Sequence, residues 1–167
     1  MSESGNHLSL HPTRIDIPLE IRSYVTAMLN QTLAVAVDLR SQVKQASWNV
    51  RGTDFSQLQA LFTTIATELD TYADLVAERI AVLGGVASGT VRMAAAQSTL
   101  PEYPGDLVES RAHVLALAER FASYTTAMRA GIAQAADIEE AATAAVYTDI
   151  ARGVEKRLCG LEAHLHR

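Results

Sequence analysis

Residues 55–83 read FSQLQALFTTIATELDTYADLVAERIAVL, and this stretch decides the class of fold. Its apolar residues recur every three or four positions, which is the spacing of a helix that buries one stripe. They are Phe55, Leu58, Phe62, Ile65, Leu69, Tyr72, Val76, Ile80 and Leu83. The same spacing recurs in the stretches 21–43, 114–132 and 138–165. The sequence therefore predicts four long amphipathic helices.

The composition agrees with an all-α domain. Of the 167 residues, 49% are apolar, only 5% are aromatic and 28 are alanine, which favours closely packed helices over a strand sandwich. A chain of this length can bury one core as a single domain. The formal net charge is −5, and Lys44 and Lys156 are its two lysines. This charge argues against a protein whose affinity comes from nucleic-acid phosphates.

The sequence carries no sign of a membrane segment or of an oxidising compartment. No apolar stretch reaches the roughly 20 residues of a membrane helix. The first residues, Met1-Ser2-Glu3-Ser4, lack a basic flank and an apolar run. Cys159 is the single cysteine, so no disulfide can form within the chain, and we interpret it as a small apolar residue of a helix. We expect a cytoplasmic protein.

Prolines and glycines predict how the helices are connected. Prolines stand only at positions 12, 18, 101 and 104, and the glycines at 52, 84–85 and 131 divide the two proline-free halves. Short links near Gly52 and after Gly131 predict two antiparallel hairpins. The second and third helices are separated by about twenty residues, enough to cross the length of the bundle.

Local signals complete the predicted architecture. Asp54, Asp106 and Asp137, each followed three residues later by Gln or Glu, are predicted helix N-caps. Thr90–Gln97 is predicted as a short helix within the crossover. Two hairpins joined by a long crossover are the plan of ferritin-like four-helix bundles. We predict this all-α fold over residues 16–167, preceded by a flexible tail at 1–15.

A row of acidic residues on the second helix is the candidate metal site. Asp70, Asp74 and Glu78 follow one another in steps of four, so their carboxylates share one helix face. Carboxylate oxygens suit hard divalent cations, whereas the alternative explanation is a solvated or salt-bridged face. The chain contains no Glu-x-x-His motif, which disfavours a di-iron site inside one bundle.

Four stretches of the chain resemble the Dps family, the mini-ferritins of starved bacteria. They are KQASWNVRG at 44–52 with Phe55 beyond it, DLVAER at 74–79, LGGVASGT at 83–90 and LPEYP at 100–104. The resemblance extends over roughly residues 15–165 in one register. It implies a four-helix subunit that assembles, usually as twelve copies, into a hollow shell that stores oxidised iron. It also implies an iron-oxidising site between two subunits related by a two-fold axis.

The resemblance assigns ligands to that site residue by residue. One subunit supplies the acids of an Asp-x-x-x-Glu-Arg motif, which are Asp74 and Glu78 here. The other subunit supplies two histidines and an aspartate, and at those positions this chain has Ser47, Gln59 and Thr63. Two hydroxyls and an amide thus replace two imidazoles and a carboxylate. We expect weak iron binding at this interface and slow or absent ferroxidase activity.

Two other functions remain open from the sequence. One is an active ferroxidase that uses another ligand set or another divalent metal. The other is a structural shell subunit that co-assembles with a complete paralogue. Without a metal, the two like charges are costly. Arg79, Arg51 or a basic residue of a neighbouring chain could compensate them, one acid could be protonated, or another cation could bind. Trp48, beside the site, is expected to pack at the subunit interface.

The resemblance also raises DNA protection, which in the family usually depends on a lysine-rich terminus. Residues 1–15 carry one basic residue, Arg14, and the other end offers Arg167 beside histidines. Such termini neutralise few phosphates, so DNA binding through them is not expected. His113 is predicted to pack or to form hydrogen bonds.

An acidic run precedes the predicted fourth helix. Asp137, Glu139 and Glu140 stand close together in the sequence. Capping and compensation of the helix dipole explain them. In a shell they could instead line a three-fold pore that attracts cations.

Overall fold

The structure is a computed structural model that describes residues 10–166. It contains five α-helices in the order α1 (Leu19–Asn49), α2 (Phe55–Val82), α3 (Val91–Gln97), α4 (Ser110–Asp137) and α5 (Ala141–Ala163). The described residues contain no β-strand, only an isolated bridge between Arg51 and Glu109. The predicted all-α, ferritin-like four-helix bundle with a short helix in its crossover is confirmed.

The four long helices enclose one apolar core. α1 packs on α2 and α4 packs on α5, each pair as an antiparallel hairpin. The predicted stripes supply fully buried side chains, among them Val25, Leu39, Phe62, Ile65, Leu69, Leu117, Phe121 and Ile150. Burial of each contributes about 1.5–3 kcal/mol, so this core is the main source of stability. Within residues 10–166, no helix combines the length and apolar character needed to cross a membrane.

The crossover of residues 83–109 runs along α1 from the end of α2 to the start of α4. Three polar side chains of α1 hold it there. The side-chain amides of Asn30, Gln31 and Gln42 donate to backbone carbonyls of the crossover at 3.0, 2.7 and 3.0 Å. These bonds satisfy carbonyls that have no partner in a helix or sheet. The polar edge of α1 therefore fixes the path of the crossover.

Arg120 of α4 ties the crossover to the bundle from the other side. Its side chain is buried, with the residue 5% exposed. The guanidinium donates to the carbonyls of Ala116 at 3.0 Å, Glu102 at 2.8 Å and Pro101 at 3.4 Å, and also to the side-chain oxygen of Gln42. A buried charge is tolerated when its donors are hydrogen-bonded. Arg120 thus joins α1, α4 and the crossover at one point.

α4 extends further than the sequence predicts, because Gly131 does not end it. A Cβ atom at Gly131 would lie 2.4 Å from Cδ1 of Tyr147, so the glycine lets the tyrosine ring of α5 pack directly on α4. The helix continues to Asp137, which is therefore not the N-cap of α5. That position is Glu140, whose carboxylate accepts from the backbone amide of Thr143 at 3.1 Å.

The predicted N-cap at Asp106 is also wrong. α4 begins at Ser110, because the preceding residues pair with the end of α1. The backbone amide of Arg51 donates to the carbonyl of Val108 at 3.1 Å. The hydroxyl of Ser110 donates to the carbonyl of Arg51 at 2.7 Å. These tertiary bonds keep residues 106–109 outside the helix.

Contacts between α2 and α5 close the bundle. The guanidinium of Arg157 forms a two-point ion pair with Glu68, with one of its two contacts at 2.7 Å. One turn further along α2, the hydroxyl of Tyr72 packs against Gly153 of α5. It lies 1.7 Å from the point where a Cβ atom of that residue would stand, so only glycine leaves room for it. A small residue on α5 therefore allows close approach where the two helices meet.

A second ion pair joins α2 to the start of α5. The guanidinium of Arg79 donates to Glu140 at 2.8 Å and to the hydroxyl of Thr143 at 3.1 Å. Burial opposes ionisation of Glu140, but hydrogen bonds from Thr143 and Arg79 outweigh it and lower the pKa of this carboxyl. Glu140 is thereby withdrawn from the exposed acidic surface formed by Asp137 and Glu139. The pore suggested for these acids stays a prediction.

The segment before α1 contacts the end of α2. The backbone amide of His11 donates to the carbonyl of Gly84 at 2.7 Å. Gly84 has φ +83°, and a Cβ there would lie 2.4 Å from the carbonyl oxygen of His11. Residues 1–9 of the predicted flexible tail lie outside the described residues, so the domain boundary at residue 15 stays a prediction.

The packing at Gly131 makes a stability prediction. Gly131→Ala should lower the free energy of unfolding by about 1–3 kcal/mol, because the added methyl group meets the body of the buried Tyr147 ring. Gly160→Ala is the matched control, since no atom lies within 4 Å of a Cβ there. In a helix this control should stabilise by about 0.5–1 kcal/mol. Urea unfolding measures both, and equal effects of the two changes would contradict the assignment.

The ion pair of Arg79 makes a second prediction. Arg79→Met should destabilise the fold by about 3–5 kcal/mol, because it leaves Glu140 buried without its cation. Arg129→Met is the control, because the Arg129–Glu155 pair at 2.6 Å is largely exposed. Its loss should change stability by about 1 kcal/mol or less. Thermal and urea unfolding give the comparison, and a similar cost for both variants would show that the buried pair is unimportant.

Candidate metal centre

The two predicted metal ligands lie together on the surface of α2. Asp74 and Glu78 are one helical turn apart, and both are exposed. Buried Val76 and Ile80 fix the orientation of this part of the helix, so the acids face away from the core. Among the described residues, no basic side chain forms an ion pair with either acid. The pair is therefore available to a cation from outside the subunit.

The other acid of the predicted row has a different role. Asp70 forms an ion pair with Arg40 on α1, in which Oδ1 of Asp70 lies 3.0 Å from Nε of Arg40, and both side chains are substantially exposed. The salt-bridged alternative therefore describes Asp70. An exposed pair of this kind contributes about 0–1 kcal/mol.

The two arginines suggested as counter-charges for the acid pair are used elsewhere in the subunit. Arg79 pairs with Glu140 at 2.8 Å. The guanidinium of Arg51 donates to the backbone carbonyl of Val50 at 2.9 Å and approaches that of Trp48 at 3.4 Å. Neither arginine pairs with Asp74 or Glu78 among the described residues of one subunit, and their role as counter-charges at a subunit interface stays a prediction.

The three replacement residues form a hydrogen-bonded group between α1 and α2. The hydroxyls of Ser47 and Thr63 are 3.2 Å apart. The side-chain amide of Gln59 donates to the backbone carbonyl of Ser47 at 3.3 Å, and the Thr63 hydroxyl donates to the carbonyl of Gln59 at 2.8 Å. Ser47 is buried, while the other two residues are exposed. We call Ser47, Gln59 and Thr63 the neutral triad.

The neutral triad and the acid pair cannot form one site within a subunit. Thr63 and Asp74 are eleven positions apart on α2, which is roughly 16 Å along the helix axis. Within the described part of the chain, no group of three or more His, Cys, Asp or Glu side chains is placed to hold a metal ion. The residues of a single subunit therefore do not fit a di-iron centre. The acid pair can contribute two carboxylates to a site that another subunit completes.

The donor chemistry of the triad is weak for a metal. Hydroxyl and amide oxygens carry no net charge, and nitrogen ligands are absent from all three positions. The hydroxyls of Ser47 and Thr63 bond to each other, and the side-chain nitrogen of Gln59 bonds to the backbone of Ser47.

Trp48 lies beside the triad and is 60% exposed in the subunit. The ammonium of Lys44 lies 5.6 Å from the centre of its ring, within range of a cation–π contact. Its own chain therefore does not bury this ring. The predicted packing of Trp48 at an interface stays a prediction.

Sequence reasoning missed the tertiary partners of two arginines. The pairing of Arg79 with Glu140 and of Arg120 with Gln42 joins residues far apart in the chain, and neither spacing nor periodicity identifies such partners. A weak signal existed for Glu140, because a carboxylate three residues before Thr143 suits an N-cap.

The prediction that His113 forms a hydrogen bond is confirmed, with Nδ1 2.7 Å from the hydroxyl of Tyr103.

Comparison with known proteins agrees with this architecture. The sequence model of the family described as "Ferritin-like domain" matches residues 26–167. The DNA protection during starvation protein of Agrobacterium fabrum is 34% identical over 158 residues, covering 95% of this chain and 98% of that protein.

Solved structures lead to the same group of proteins. DpsA14 from Streptomyces coelicolor has a TM-score of 0.89 at 30% identity, covering 95% of both chains. DpsC from the same organism has a TM-score of 0.90 at 27% identity, covering 95% of this chain and 93% of its own. Helix order, motifs and relatives agree, and the chain belongs to the Dps family of ferritin-like proteins.

Proposed function

We propose that this protein is the subunit of a Dps-type shell that binds and sequesters iron while its inter-subunit oxidation centre is impaired. The neutral triad is the observation that carries this proposal. Its three residues are joined by one bond between hydroxyls and two bonds from side chains to backbone carbonyls, at the positions where the family resemblance calls for two histidines and an aspartate. Iron is the substrate and cargo of such a shell rather than a resident cofactor.

Charge supports the proposal of impaired oxidation. A site completed by a second copy of this chain would contain Asp74 and Glu78 facing three neutral side chains. Two carboxylates can hold a divalent cation weakly, but they provide neither nitrogen ligands nor a third negative charge. Sequestration would then depend on other acidic surfaces of the shell and on a supply of already oxidised iron.

The cellular role follows from the same proposal. A homo-oligomeric shell, usually of twelve copies in this family, would act in the cytoplasm in stress protection. The relative from Agrobacterium fabrum is named for DNA protection during starvation. For this chain we propose protection through iron rather than through DNA binding by its termini, because Arg14 and Arg167 are too few to neutralise many phosphates.

Co-assembly with a complete paralogue is a second candidate function. It is favoured by the contrast between the two half-sites, since the acid pair is exposed without an ion pair among the described residues, while the triad residues bond to one another. A paralogue with imidazoles at the triad positions would complete a site with Asp74 and Glu78. In that case the chain would support iron oxidation only in mixed particles.

Restoration of the ligands tests the proposal. Ser47→His, Gln59→His and Thr63→Asp together should raise the rate of Fe(II) oxidation by about tenfold or more, because each missing ligand costs at least the 10–100-fold typical of supporting residues. Stopped-flow absorbance measures the rate, and size-exclusion chromatography with light scattering checks the assembly.

Two controls separate the possible outcomes. Adding Asp74→Asn and Glu78→Gln to the triple variant should abolish the gain, because the acid half-site is then lost. Fast Fe(II) oxidation by the unaltered protein would contradict impairment and favour a different ligand set or metal. A correctly assembled triple variant with no gain would contradict the proposed site. Activity that appears only after mixing with a paralogue would favour co-assembly.

A further inference from the structure

Tyr103 of the crossover is inserted between two side chains of α4. His113 and Arg120 are seven residues apart, which is two turns or roughly 10 Å along the helix. The rings of Tyr103 and His113 lie side by side, with centroids 5.9 Å apart and planes inclined by 16°. The guanidinium carbon of Arg120 lies 5.3 Å from the centre of the same tyrosine ring. The ring therefore fills the space between an imidazole and a buried cation.

A hydrogen bond joins the same two residues. The Tyr103 hydroxyl lies 2.7 Å from Nδ1 of His113, and His113 is only 1% exposed. In a neutral imidazole with its proton on Nε2, Nδ1 is an acceptor, so the phenol donates to it. Nε2 has no hydrogen-bond partner of normal geometry in the described part of the chain. This arrangement suits the neutral ring.

Among the described residues, no carboxylate forms an ion pair with His113. The cation beside this pair of rings is Arg120, which contacts the Tyr103 ring. The open groove beside Tyr103, of about 480 Å³, is lined by both acids and bases of α1 and the crossover: Asp38, Arg40, Lys44 and Glu102. Glu109, one turn before His113, is exposed. Burial lowers the pKa of His113, and the Leu107 backbone opposes this only in part.

We propose that Tyr103 and His113 form an acid-sensitive latch, in which protonation of His113 releases the crossover segment 100–109 from α4. A proton on Nδ1 converts this atom from acceptor to donor, so the bond to Tyr103 reverses and the phenol O–H loses its acceptor, while the charged imidazole stays buried without a paired carboxylate. Protonation also brings a second positive charge, on His113, next to the Tyr103 ring that already contacts the guanidinium of Arg120. The latched form is therefore destabilised by protonation, while the released form has a solvated imidazole.

The direction of the pH effect follows from linkage. The released ring protonates near the ordinary histidine pKa of about 6.5, whereas the latched ring protonates at lower pH. The latch is therefore fully stable above this value and weakens as the pH falls below it. Each pKa unit between the two forms increases the open fraction about tenfold, until the latched ring is itself protonated.

Hydrogen exchange of the assembled full-length protein tests the latch. Peptides from segment 100–109 should lose protection between about pH 7.5 and about pH 5, after correction for the intrinsic pH dependence of exchange, by about tenfold for each unit of pKa difference. Peptides from the core of α1 and α2 should not change. Equal loss across all peptides would show global unfolding and overturn the proposal.

A matched pair of variants assigns the effect to His113. His113→Gln keeps an acceptor for the Tyr103 hydroxyl but cannot titrate, so the selective loss of protection at acid pH should disappear. His164→Gln removes an exposed histidine of the same chain and should leave the response intact. If His113→Gln fails to assemble, His113→Phe provides a second non-titrating ring. An unchanged response in an assembled variant of His113, or no response in the unaltered protein, would refute the latch.

Discussion

The buried guanidinium of Arg120 holds together the part of the molecule on which the topology depends. Two helical hairpins can pack in several ways, and the crossover selects one of them by running the length of α1. Arg120 donates to the carbonyls of Pro101 and Glu102 and to the side chain of Gln42, so it joins the crossover to both hairpins. Because no carboxylate pairs with it among the described residues, backbone carbonyls compensate this charge.

Hydrogen bonding of polar side chains also shapes the candidate site. A buried or half-buried polar group needs a partner, and in the neutral triad each side chain finds one in a neighbouring residue of the triad. Ser47, Gln59 and Thr63 are thereby linked by hydrogen bonds between their side chains and backbone. The acid pair on α2 has no ion-pair partner among the described residues of its own subunit. This difference between the acid pair and the triad is the physical basis of the proposed function.

Close packing of small residues gives the bundle its dimensions. Gly131 accommodates the ring of Tyr147, and Gly153 accommodates the hydroxyl of Tyr72. Each glycine reduces the intrinsic preference for a helix, but both admit an aromatic side chain that fills the space between helices. The glycine pattern was therefore a poor guide to helix ends in the second half of the chain, where a packing requirement overrides the local preference.

The sequence by itself determined the helix class, the four apolar stripes and the short helix of the crossover, because these depend on local spacing and on proline positions. Its motifs also located Asp74, Glu78 and the residues of the triad. Only the tertiary structure decided that Arg79 forms an ion pair with Glu140, that Asp70 forms one with Arg40, and that α4 continues through Gly131. These outcomes depend on which side chains meet across the bundle, and contacts between distant residues leave no periodic trace in the chain.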